Sequence, residues 1–340
     1  MERFLWIVCD GVSNSVFKSQ VCAPLIKWLD EDESRTAALV TFERQPKDVD
    51  LKNLPGHSRL EYFVERSYPF FGRWTLWGAV LKFRKVVERF SPTMIVARGP
   101  LAGYVAMKAK VKSNLVVQAR GLCAEEYRFT HSRGSKLKWT MRKPFVWMLK
   151  QLEKKVYRSN AIKIETVSPA LRDYLCDSFG ARAGNIDVAD FDIPNPISKD
   201  QVKTWREEGR SHFGIPADAI VYCYSGSAKP WQCAEETIQF FSEKLKAEPQ
   251  VHFVVFTGAT GEFTKLAEKY GIPKEKILIM RVEPSELLRH LAIADFGVIL
   301  REKDPVNWVS RPTKVLEYRA VGMGLVHNGT VDWINNLEIL

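Results

Sequence analysis

The chain has 340 residues, of which 46% are hydrophobic and 26% charged, and its formal net charge is +10. This composition is typical of a folded, soluble protein, and the length is sufficient for two hydrophobic cores. No apolar run is long enough to form a membrane-spanning helix.

The N-terminus and the cysteines both indicate a cytoplasmic protein. The opening stretch "MERFLWIVCDG" lacks a longer apolar core and a small-residue cleavage site. We therefore interpret it as a buried first strand and not as a signal peptide. The six cysteines include no C-x-x-C pair, which predicts free thiols in a reducing cytoplasm.

Positive charge is concentrated in one segment. Residues 51–150 contain 20 Lys and Arg against 5 Asp and Glu, whereas the remaining residues contain 30 against 35. Such a segment predicts an anionic partner, with lipid headgroups, a phosphorylated lipid and nucleic acid as candidates. Over 82–90 the apolar residues fall at helical spacing, which favours a solvated helix face. Over 128–155 cations are mixed with Phe and Trp, which favours a membrane surface over nucleic acid.

The first half alternates between strand-like and helix-like segments. Strands are predicted at 3–9, 36–42, 93–97, 114–118 and 161–167, and helices at 16–29, 73–90, 100–110, 135–158 and 169–179. Two prolines then interrupt the pattern within 190–197, and a polar stretch follows. We predict a first domain over 1–195 and a linker over 196–212.

The second half, 213–340, repeats the alternation. Strands are predicted at 219–226, 251–258, 276–280, 295–300 and 324–328, and helices at 231–247, 260–270, 284–293 and 312–321. The predicted fold class is α/β, with two Rossmann-like, doubly wound domains. Neither half contains a G-x-G-x-x-G or G-x-x-x-x-G-K-[ST] stretch, which weighs against a dehydrogenase or a P-loop enzyme.

Ligands of open parallel sheets bind beyond the carboxyl ends of the strands. After the first strand of the second half, Gly226 permits close backbone approach, Ser227 offers a hydroxyl and Lys229 a cation. This combination predicts a phosphate site. After the third strand, a nucleotide base could rest on Arg281 and Val282, although an ordinary turn explains them equally well.

The segment after the fourth strand offers a second group of polar residues. Ser310 or Arg311 could cap the following helix, and Thr313 and Lys314 fall in its first turn. A Lys there opposes the helix dipole, and a bound anion would relieve the conflict. Glu317 lies one turn later and could accept hydrogen bonds from a sugar diol. A salt bridge from Glu317 to Lys314 or Arg311 is the structural alternative.

The stretch "SRPTKVLEYRAVGMGLV" at 310–326 resembles the donor-site motif of family-four glycosyltransferases with the two-domain GT-B fold, in which the domains face across a cleft. Other stretches are similar to that family in the same order: "DGVSNSVFKSQVCAPLIKWL" (10–29), "VSPALRDYL" (167–175), "IPNPI" (193–197) and "YSGSAKPWQ" (224–232). The resemblance covers nearly the whole chain.

The resemblance implies that Glu317 binds the ribose of a nucleotide sugar, with UDP or GDP as the expected nucleotide. It implies that Lys229 and Lys314 meet the diphosphate, with Arg311 in reserve, and that transfer proceeds with retention and without a metal or further cofactor. The acceptor is expected to be a glycan or lipid-linked molecule of cell-surface polysaccharide synthesis, used by a cytoplasmic enzyme at the inner face of the cell membrane.

Three features depart from the family pattern. Val309 occupies the place of an earlier, sugar-facing Glu, and Ser227 that of an Arg. The chain ends at Leu340, where relatives continue with another strand and helices, so we expect a truncated domain or one closed by another subunit.

On the acceptor side we single out Gly11 of the first loop, together with Arg98 and Arg120, which follow predicted strands. An Arg there could hold a phosphate, and Glu125 or Glu126 could orient an acceptor hydroxyl. Pairing of Arg120 with one of these carboxylates, which would pin the loop, is an equal alternative.

Two other functions compete with a transferase. A nucleotide-sugar epimerase could have the same fold. A basic α/β protein without catalytic activity could bind membrane or nucleic acid.

Overall fold

The computed structural model describes residues 2–9, 11–12, 17–67, 69–111, 113–190 and 196–337, with the side chain of Ser19 excluded. The chain divides into two compact units, Met1–Ala189 and Asp190–Leu340. Within the described ranges, no helix combines the length and apolar character that crossing a membrane requires. All six cysteines are free thiols.

The first unit is built on a seven-stranded parallel sheet of order β3-β2-β1-β4-β5-β6-β7. Its strands are β1 (Arg3–Val8), β2 (Thr36–Glu43), β3 (Leu60–Arg66), β4 (Met94–Arg98), β5 (Asn114–Ala119), β6 (Lys163–Thr166) and β7 (Ile186–Val188). In the central register, Leu5 pairs with Ala38 on one side and Ile95 on the other, and all three are fully buried. Such continuous apolar runs are typical of strands covered on both faces.

The helices of the first unit are α1 (Ala23–Asp30), α2 (Trp77–Phe90), α3 (Gly99–Ala109), α4 (Cys123–His131), α5 (Lys136–Tyr157) and α6 (Pro169–Tyr174). Short π or 3₁₀ turns extend α1 and α2 at their starts and α6 at its end. The basic segment 82–90 lies on α2, whose Phe83, Val86 and Phe90 are buried, so its cations sit on a solvated face as expected.

The second unit has a five-stranded parallel sheet of order β10-β9-β8-β11-β12. Its strands are β8 (Val221–Ser225), β9 (His252–Phe256), β10 (Ile277–Met280), β11 (Phe296–Ile299) and β12 (Gly324–His327). Its helices are α7 (Lys199–Phe213), α8 (Ala234–Ala247), α9 (Thr260–Lys269), α10 (Leu287–Leu291), α11 (Pro305–Trp308), α12 (Lys314–Ala320) and α13 (Asp332–Asn335).

Side chains of β8 alternate between two hydrophobic cores. Cys223 packs on the face that carries α12, whereas Tyr222 and Tyr224 pack on the face that carries α8 and α9. The second unit is therefore doubly wound, with helices on both faces of its sheet.

The linker predicted over 196–212 is wrong, because this segment forms α7 and belongs to the second unit. Arg210 of α7 is 5% exposed and donates hydrogen bonds to the carbonyl oxygens of Ile293 and Ala219. It also forms an ion pair with Asp295 at 2.9 Å. The polar composition of the segment concealed a helix that docks through the buried Arg210 together with a few partly buried apolar side chains, Val202 and Phe213.

The unit boundary lies between Ala189 and Asp190, so the second unit begins well before the predicted start at residue 213. Residues 191–195, which contain one of the prolines that motivated the linker, lie outside the described residues. The same holds for Asp10 and 13–16 of the predicted first loop.

Each predicted strand is present, with ends shifted by one or two residues. Neither β3, whose central residues are only partly buried, nor the three-residue β7 was predicted from the sequence. The same is true of α4, whose acidic first turn we had interpreted as a loop.

Candidate functional site

β8 and β11 are neighbours in the second sheet, and the chain leaves them toward opposite faces. After β8 it continues to α8, which packs on one core, and after β11 to α12, which packs on the other. Such a switch point opens a crevice outside the carboxyl ends of the strands, where ligands of this architecture bind. The residues that follow β8 and β11 are therefore the first candidates for a site.

Lys314, the first residue of α12, directs its ammonium group at the turn after β8. Its Nζ lies 4.2 Å from the centroid of the Tyr224 ring. A Cβ on Gly226 would lie 2.7 Å from this Nζ, and Gly226 has a φ of +145°. The positive φ favours glycine at this position, and a side chain there would also displace the lysine ammonium group.

Tyr318 fixes the position of α12 against the strands. Its hydroxyl accepts a hydrogen bond from the backbone N–H of Ser225 at 2.9 Å. Its ring lies over Gly297 of β11, where a Cβ would be 2.2 Å from the ring. Tyr318 is 1% exposed, so it acts as a positioning residue for the side chains of α12.

A second buried cation, Arg301, converges with Lys314 on one neutral side chain. Arg301 follows β11 and is 4% exposed. Its Nη2 donates to Gln232 Oε1 at 2.7 Å, and Lys314 Nζ donates to the same oxygen at 3.1 Å. Neither cation takes part in an ion pair among the described residues. Arg301 also donates through Nη1 to the backbone carbonyl oxygens of Gln232 and Leu300, so both cations are met by neutral acceptors.

The pKa values of both cations reflect this unbalanced charge. Burial lowers the pKa of Lys314 well below its usual value, and Arg301 lowers it further, while Glu317 acts in the opposite direction. Burial also lowers the pKa of Arg301. Because buried charge is unfavourable without a partner, an anion bound here would stabilise both protonated groups. The arrangement is suited to a phosphate or diphosphate.

Glu317 lies one turn after Lys314 and is half-buried. Burial raises its pKa, and Lys314 lowers it, so the two groups are close enough to influence each other. Lys314 nevertheless donates to Gln232, and the structure contains no Lys314–Glu317 salt bridge, which was one structural alternative. The carboxylate can therefore accept hydrogen bonds from a ligand hydroxyl.

The expected cap of α12 is wrong. The helix begins at Lys314 with Thr313 at the N-cap, and no side chain forms a capping hydrogen bond. Ser310 Oγ donates instead to the carbonyl oxygen of Asn307 at 2.8 Å, because a separate turn, α11, precedes it. Thr313 is exposed and Arg311 is half-buried.

The other predicted donor-side residues lie at the rim. Lys229 is exposed, with its Nζ 5.3 Å from the centroid of the Trp231 ring. The carbonyl oxygen of Ser227 accepts a hydrogen bond from the Tyr224 hydroxyl at 2.7 Å. Arg281 is exposed, whereas the side chain of Val282 packs against the core. The structure brings Lys314 together with Gly226 but gives Lys229 no contact with Lys314.

Sequence reasoning missed Arg301 and Gln232. Arg301 was detectable, because it directly follows a predicted strand, which is the criterion we applied to Arg98 and Arg120. Gln232 lies within the quoted stretch 224–232 but carries no signal of its own. Its importance depends on two long-range hydrogen bonds that only the fold reveals.

In the first unit, Gly11 shapes the turn after β1. It has a φ of +79°, and a Cβ there would lie 2.8 Å from Oε2 of Glu43. The same carboxylate accepts hydrogen bonds from the Thr41 hydroxyl and, at 2.9 Å, from the N–H of Val12. Gly11 thus permits a tight turn held by an acidic side chain from the end of β2.

Arg98 is the last residue of β4, and Arg120 directly follows the adjacent strand β5. Arg98 is 9% exposed and donates to Gln20 Oε1 at 2.8 Å. Nη2 of Arg120 lies 3.7 Å from Oε1 of Glu165. Burial lowers the pKa of the Arg120 guanidinium group. The structural alternative, in which Arg120 pairs with Glu125 or Glu126, is therefore wrong, because Arg120 contacts Glu165 of β6 instead.

Glu125 and Glu126 lie in the first turn of α4. Glu125 is 8% exposed and accepts hydrogen bonds from Arg128 and, at 3.1 Å, from Lys150 Nζ. Burial would raise the pKa of Glu125, but these cations outweigh it and lower the pKa. Glu126 Oε1 lies 2.3 Å from the position of a Cβ on Gly121. These contacts connect α4 with α5 and with the turn before it.

In the described part of the chain, no group of three or more His, Cys, Asp and Glu side chains is arranged to hold a metal ion.

The fold can be compared with proteins of known structure, although no protein-family model and no curated protein matches the chain by sequence. A glycosyltransferase from Rickettsia africae is 12% identical with a TM-score of 0.66 over 99% of this chain and 82% of its own. Sucrose-phosphate synthase from Thermosynechococcus elongatus is 15% identical with a TM-score of 0.68 over 97% of this chain and 82% of its own.

A third similar structure is Anabaena HepE in complex with UDP and glucose, which is 16% identical with a TM-score of 0.64 over 99% of this chain and 83% of its own. At these identities the likeness concerns the fold. The chain has the GT-B glycosyltransferase fold, with two Rossmann-like α/β units.

Proposed function

We propose that the protein is a glycosyltransferase that moves a sugar from a nucleotide diphosphate donor, with retention at the anomeric carbon and without a metal ion. One observation carries this proposal: Lys314 and Arg301 are buried and share the oxygen of Gln232, and Lys314 lies against the glycine turn at the switch point of the second sheet. The fold shared with glycosyltransferases supports it.

The donor would lie with its diphosphate against these two cations. Gly226 allows the phosphates to approach the backbone. The exposed Lys229 and the nearby Ser227 can contact the phosphates from the rim of the site. Glu317, one turn into α12, would accept hydrogen bonds from the ribose hydroxyls. Preorganised positive charge at the leaving group is an efficient means of catalysis, because it stabilises charge that develops only in the transition state.

Several further residues complete the proposed donor site. Arg281 and Val282 would support the base after β10. Ser310, Arg311 and Thr313 would line the approach to the phosphates before α12.

In the transfer step, the bond between the anomeric carbon and the diphosphate oxygen breaks as the acceptor oxygen bonds to the same face of that carbon. The proton of the acceptor hydroxyl passes to the departing diphosphate. Front-face attack needs no protein nucleophile. Lys314 and Arg301 take the role that a divalent cation has elsewhere, namely neutralising the leaving group.

Recognition of the sugar must differ from the family pattern. Val309 is 1% exposed, at the end of α11, and its hydrocarbon side chain offers the donor neither a charge nor a hydrogen bond. The loss of a carboxylate there predicts that hydroxyl groups of the sugar are recognised by other residues.

The first unit would bind the acceptor, a glycan or a lipid-linked molecule of cell-surface polysaccharide synthesis. Gly11, Arg98 and Arg120 lie at the carboxyl edge of its sheet, and Glu125 and Glu126 start the helix after β5. We propose that the enzyme works in the cytoplasm at the inner face of the membrane, with the basic segment 51–150 facing anionic lipid.

A nucleotide screen tests the proposal. Thermal unfolding is followed with UDP, GDP and ADP in the presence of EDTA, and the nucleotide that raises the Tm is then supplied as its sugar conjugates. We expect one diphosphate to raise the Tm without metal, because a ligand of the folded state stabilises it. If no nucleotide raises the Tm while RNA binds in a salt-sensitive manner, the chain is the inactive basic protein.

A nucleotide-sugar epimerase is the second candidate. A UDP-GlcNAc 2-epimerase from Neisseria meningitidis, whose structure was determined with bound UDP-GlcNAc, has a similar fold. Its sequence is 12% identical to this one, with a TM-score of 0.52 over 96% of this chain and 82% of its own. Product analysis separates the two functions. Interconversion of free sugar nucleotides without an acceptor would favour the epimerase and contradict the transferase.

A further inference from the structure

A cavity of ≈ 380 Å³ lies at the carboxyl edge of the first sheet. Cys9 follows β1, Arg44 follows β2 and Ser67 follows β3, and all three line it, together with Leu101 from the start of α3. Because ligands of parallel sheets bind at this edge, the cavity lies where a substrate of the first unit is expected.

Aromatic side chains form much of the cavity wall. The ring of Phe145 lies 4.6 Å from that of Tyr127 and 5.8 Å from that of Phe70. Phe42, which is 3% exposed, adds a further ring, and Leu76 and Leu101 add aliphatic surface. Such a wall favours burial of a hydrocarbon chain and offers few of the hydrogen bonds that a sugar requires.

The described residues that line the cavity carry charge of one sign. Arg44 and Arg66 line it, and no lining residue in the described part of the chain is acidic. Both arginines are exposed, so a phosphate could reach their guanidinium groups from solvent while an attached chain entered the apolar interior. The combination is complementary to an anionic amphiphile.

The cavity continues to an aromatic and basic surface. Phe71 lines it and also a second cavity of ≈ 1030 Å³, which contains Trp74 and Trp147. These tryptophans are 75% and 63% exposed. Lys154, Lys155, Arg73 and Arg158 line the second cavity as well. Burial, Lys108 and Arg73 lower the pKa of Lys155, as expected for crowded cations. Exposed Trp beside Lys and Arg is typical of a membrane interface.

We propose that the acceptor of this enzyme is lipid-linked: a hydrocarbon chain that carries a phosphate. The chain occupies the cavity between Phe42, Phe145 and Leu101, and the phosphate is held by Arg44 and Arg66. The Trp74–Trp147 surface lets the chain pass from the bilayer along Phe71 into the cavity. The inference rests on the proposed transferase function and narrows its acceptor from glycans in general to lipid phosphates.

Farnesyl phosphate, a short isoprenyl phosphate, is a suitable probe for the full chain. Its binding is measured by calorimetry below its aggregation threshold, beside farnesol and inorganic phosphate. We expect farnesyl phosphate to bind at least about tenfold more tightly than either part alone, since chain and phosphate contact separate walls. The proposal would be overturned if farnesyl phosphate did not bind, or if it bound no more tightly than farnesol does.

Two variants locate the site. Leu101→Trp fills the cavity and should weaken farnesyl phosphate binding at least about tenfold, whereas Leu51→Trp, at a residue 49% exposed, is the matched control and should leave it unchanged. Arg44→Ala changes an exposed side chain, so it does not depend on repacking. This substitution should weaken the binding of farnesyl phosphate by about three- to tenfold and leave the binding of farnesol unchanged. Equal affinities in wild type and both variants would place the ligand elsewhere and refute the assignment.

The same samples separate this inference from the proposed function. The nucleotide-induced rise in Tm is measured beside lipid binding. A rise in Tm with nucleotide but no farnesyl phosphate binding would refute only the lipid-linked acceptor. Farnesyl phosphate binding without any nucleotide effect would leave the amphiphile site in place and refute the transferase.

Discussion

Replacing Lys314 by Met should stabilise the protein while abolishing its nucleotide response. Lys314 is 8% exposed, and burial lowers its pKa well below the usual 10.5. At about 1.4 kcal/mol per pH unit, holding the amine neutral at pH 7 costs at most about 5 kcal/mol. The folded protein bears part of this cost for as long as no anion is bound.

Met preserves the unbranched shape and removes the charge. The substitution loses the 3.1 Å hydrogen bond to Gln232 and the contact with the Tyr224 ring at 4.2 Å. These interactions contribute about 1–3 kcal/mol in total. The expected net gain in unfolding free energy is about 1–3 kcal/mol, which raises the Tm by several degrees.

The assay is thermal unfolding at pH 7 with and without the best nucleotide. Lys265→Met, at an exposed residue of α9, is the matched control and should change neither the Tm nor the nucleotide response. If the Tm of Lys314→Met is equal to or lower than the wild-type Tm, and the control is unchanged, then other groups of the free protein already compensate the buried amine of Lys314. The inference of an uncompensated anion site would then be refuted.

Three further substitutions test other parts of the account. Glu317→Ala should weaken nucleotide binding about 10- to 100-fold in calorimetry, because hydrogen bonds to the ribose are lost, whereas Glu243→Ala on the surface of α8 should not; equal affinities would make Glu317 a purely structural residue. Lys229→Ala should lower kcat at least about tenfold and change the nucleotide Kd less, and a wild-type rate would remove Lys229 from the diphosphate site. Glu153 is 0% exposed, and burial raises its pKa from 4.5 to about 8. The folded protein therefore binds a proton that the unfolded chain releases, and this contribution to stability is lost as the pH rises from 4.5 to 8. In Glu153→Gln the loss of stability between pH 5 and pH 8, measured by urea unfolding, should be smaller by up to about 3.5 kcal/mol, and an identical pH dependence in the variant would contradict the raised pKa.

The sheets were predictable because buried parallel strands have a simple pattern. Runs such as 36–42 and 251–258 are predominantly apolar, so their position could be recognised from composition alone. The segment 199–213 could not be recognised in this way. Its docking depends on Arg210, which meets backbone carbonyls and Asp295 across more than 80 residues of sequence.

The donor half of the site was partly visible in the sequence. Gly226, Lys314 and Glu317 carry local signals, namely a turn glycine, a cation at a helix start and a carboxylate one turn later. Arg301 completes the cationic pair only because β8 and β11 are neighbours, which requires the sheet order. The contact of Glu125 with Lys150 could not be predicted either, since Lys150 comes from the next helix and the contact depends on how α4 and α5 pack.

The central claim is that Lys314 and Arg301 hold the diphosphate of a sugar nucleotide. The most direct measurement is calorimetry in EDTA that compares a nucleoside diphosphate with its nucleoside, in wild type and in Lys314→Met. We predict that the diphosphate binds wild type at least about 100-fold more tightly than the nucleoside, and that the variant loses most of this difference. Equal affinities of wild type for the two ligands, or an unchanged difference in Lys314→Met, would contradict the account.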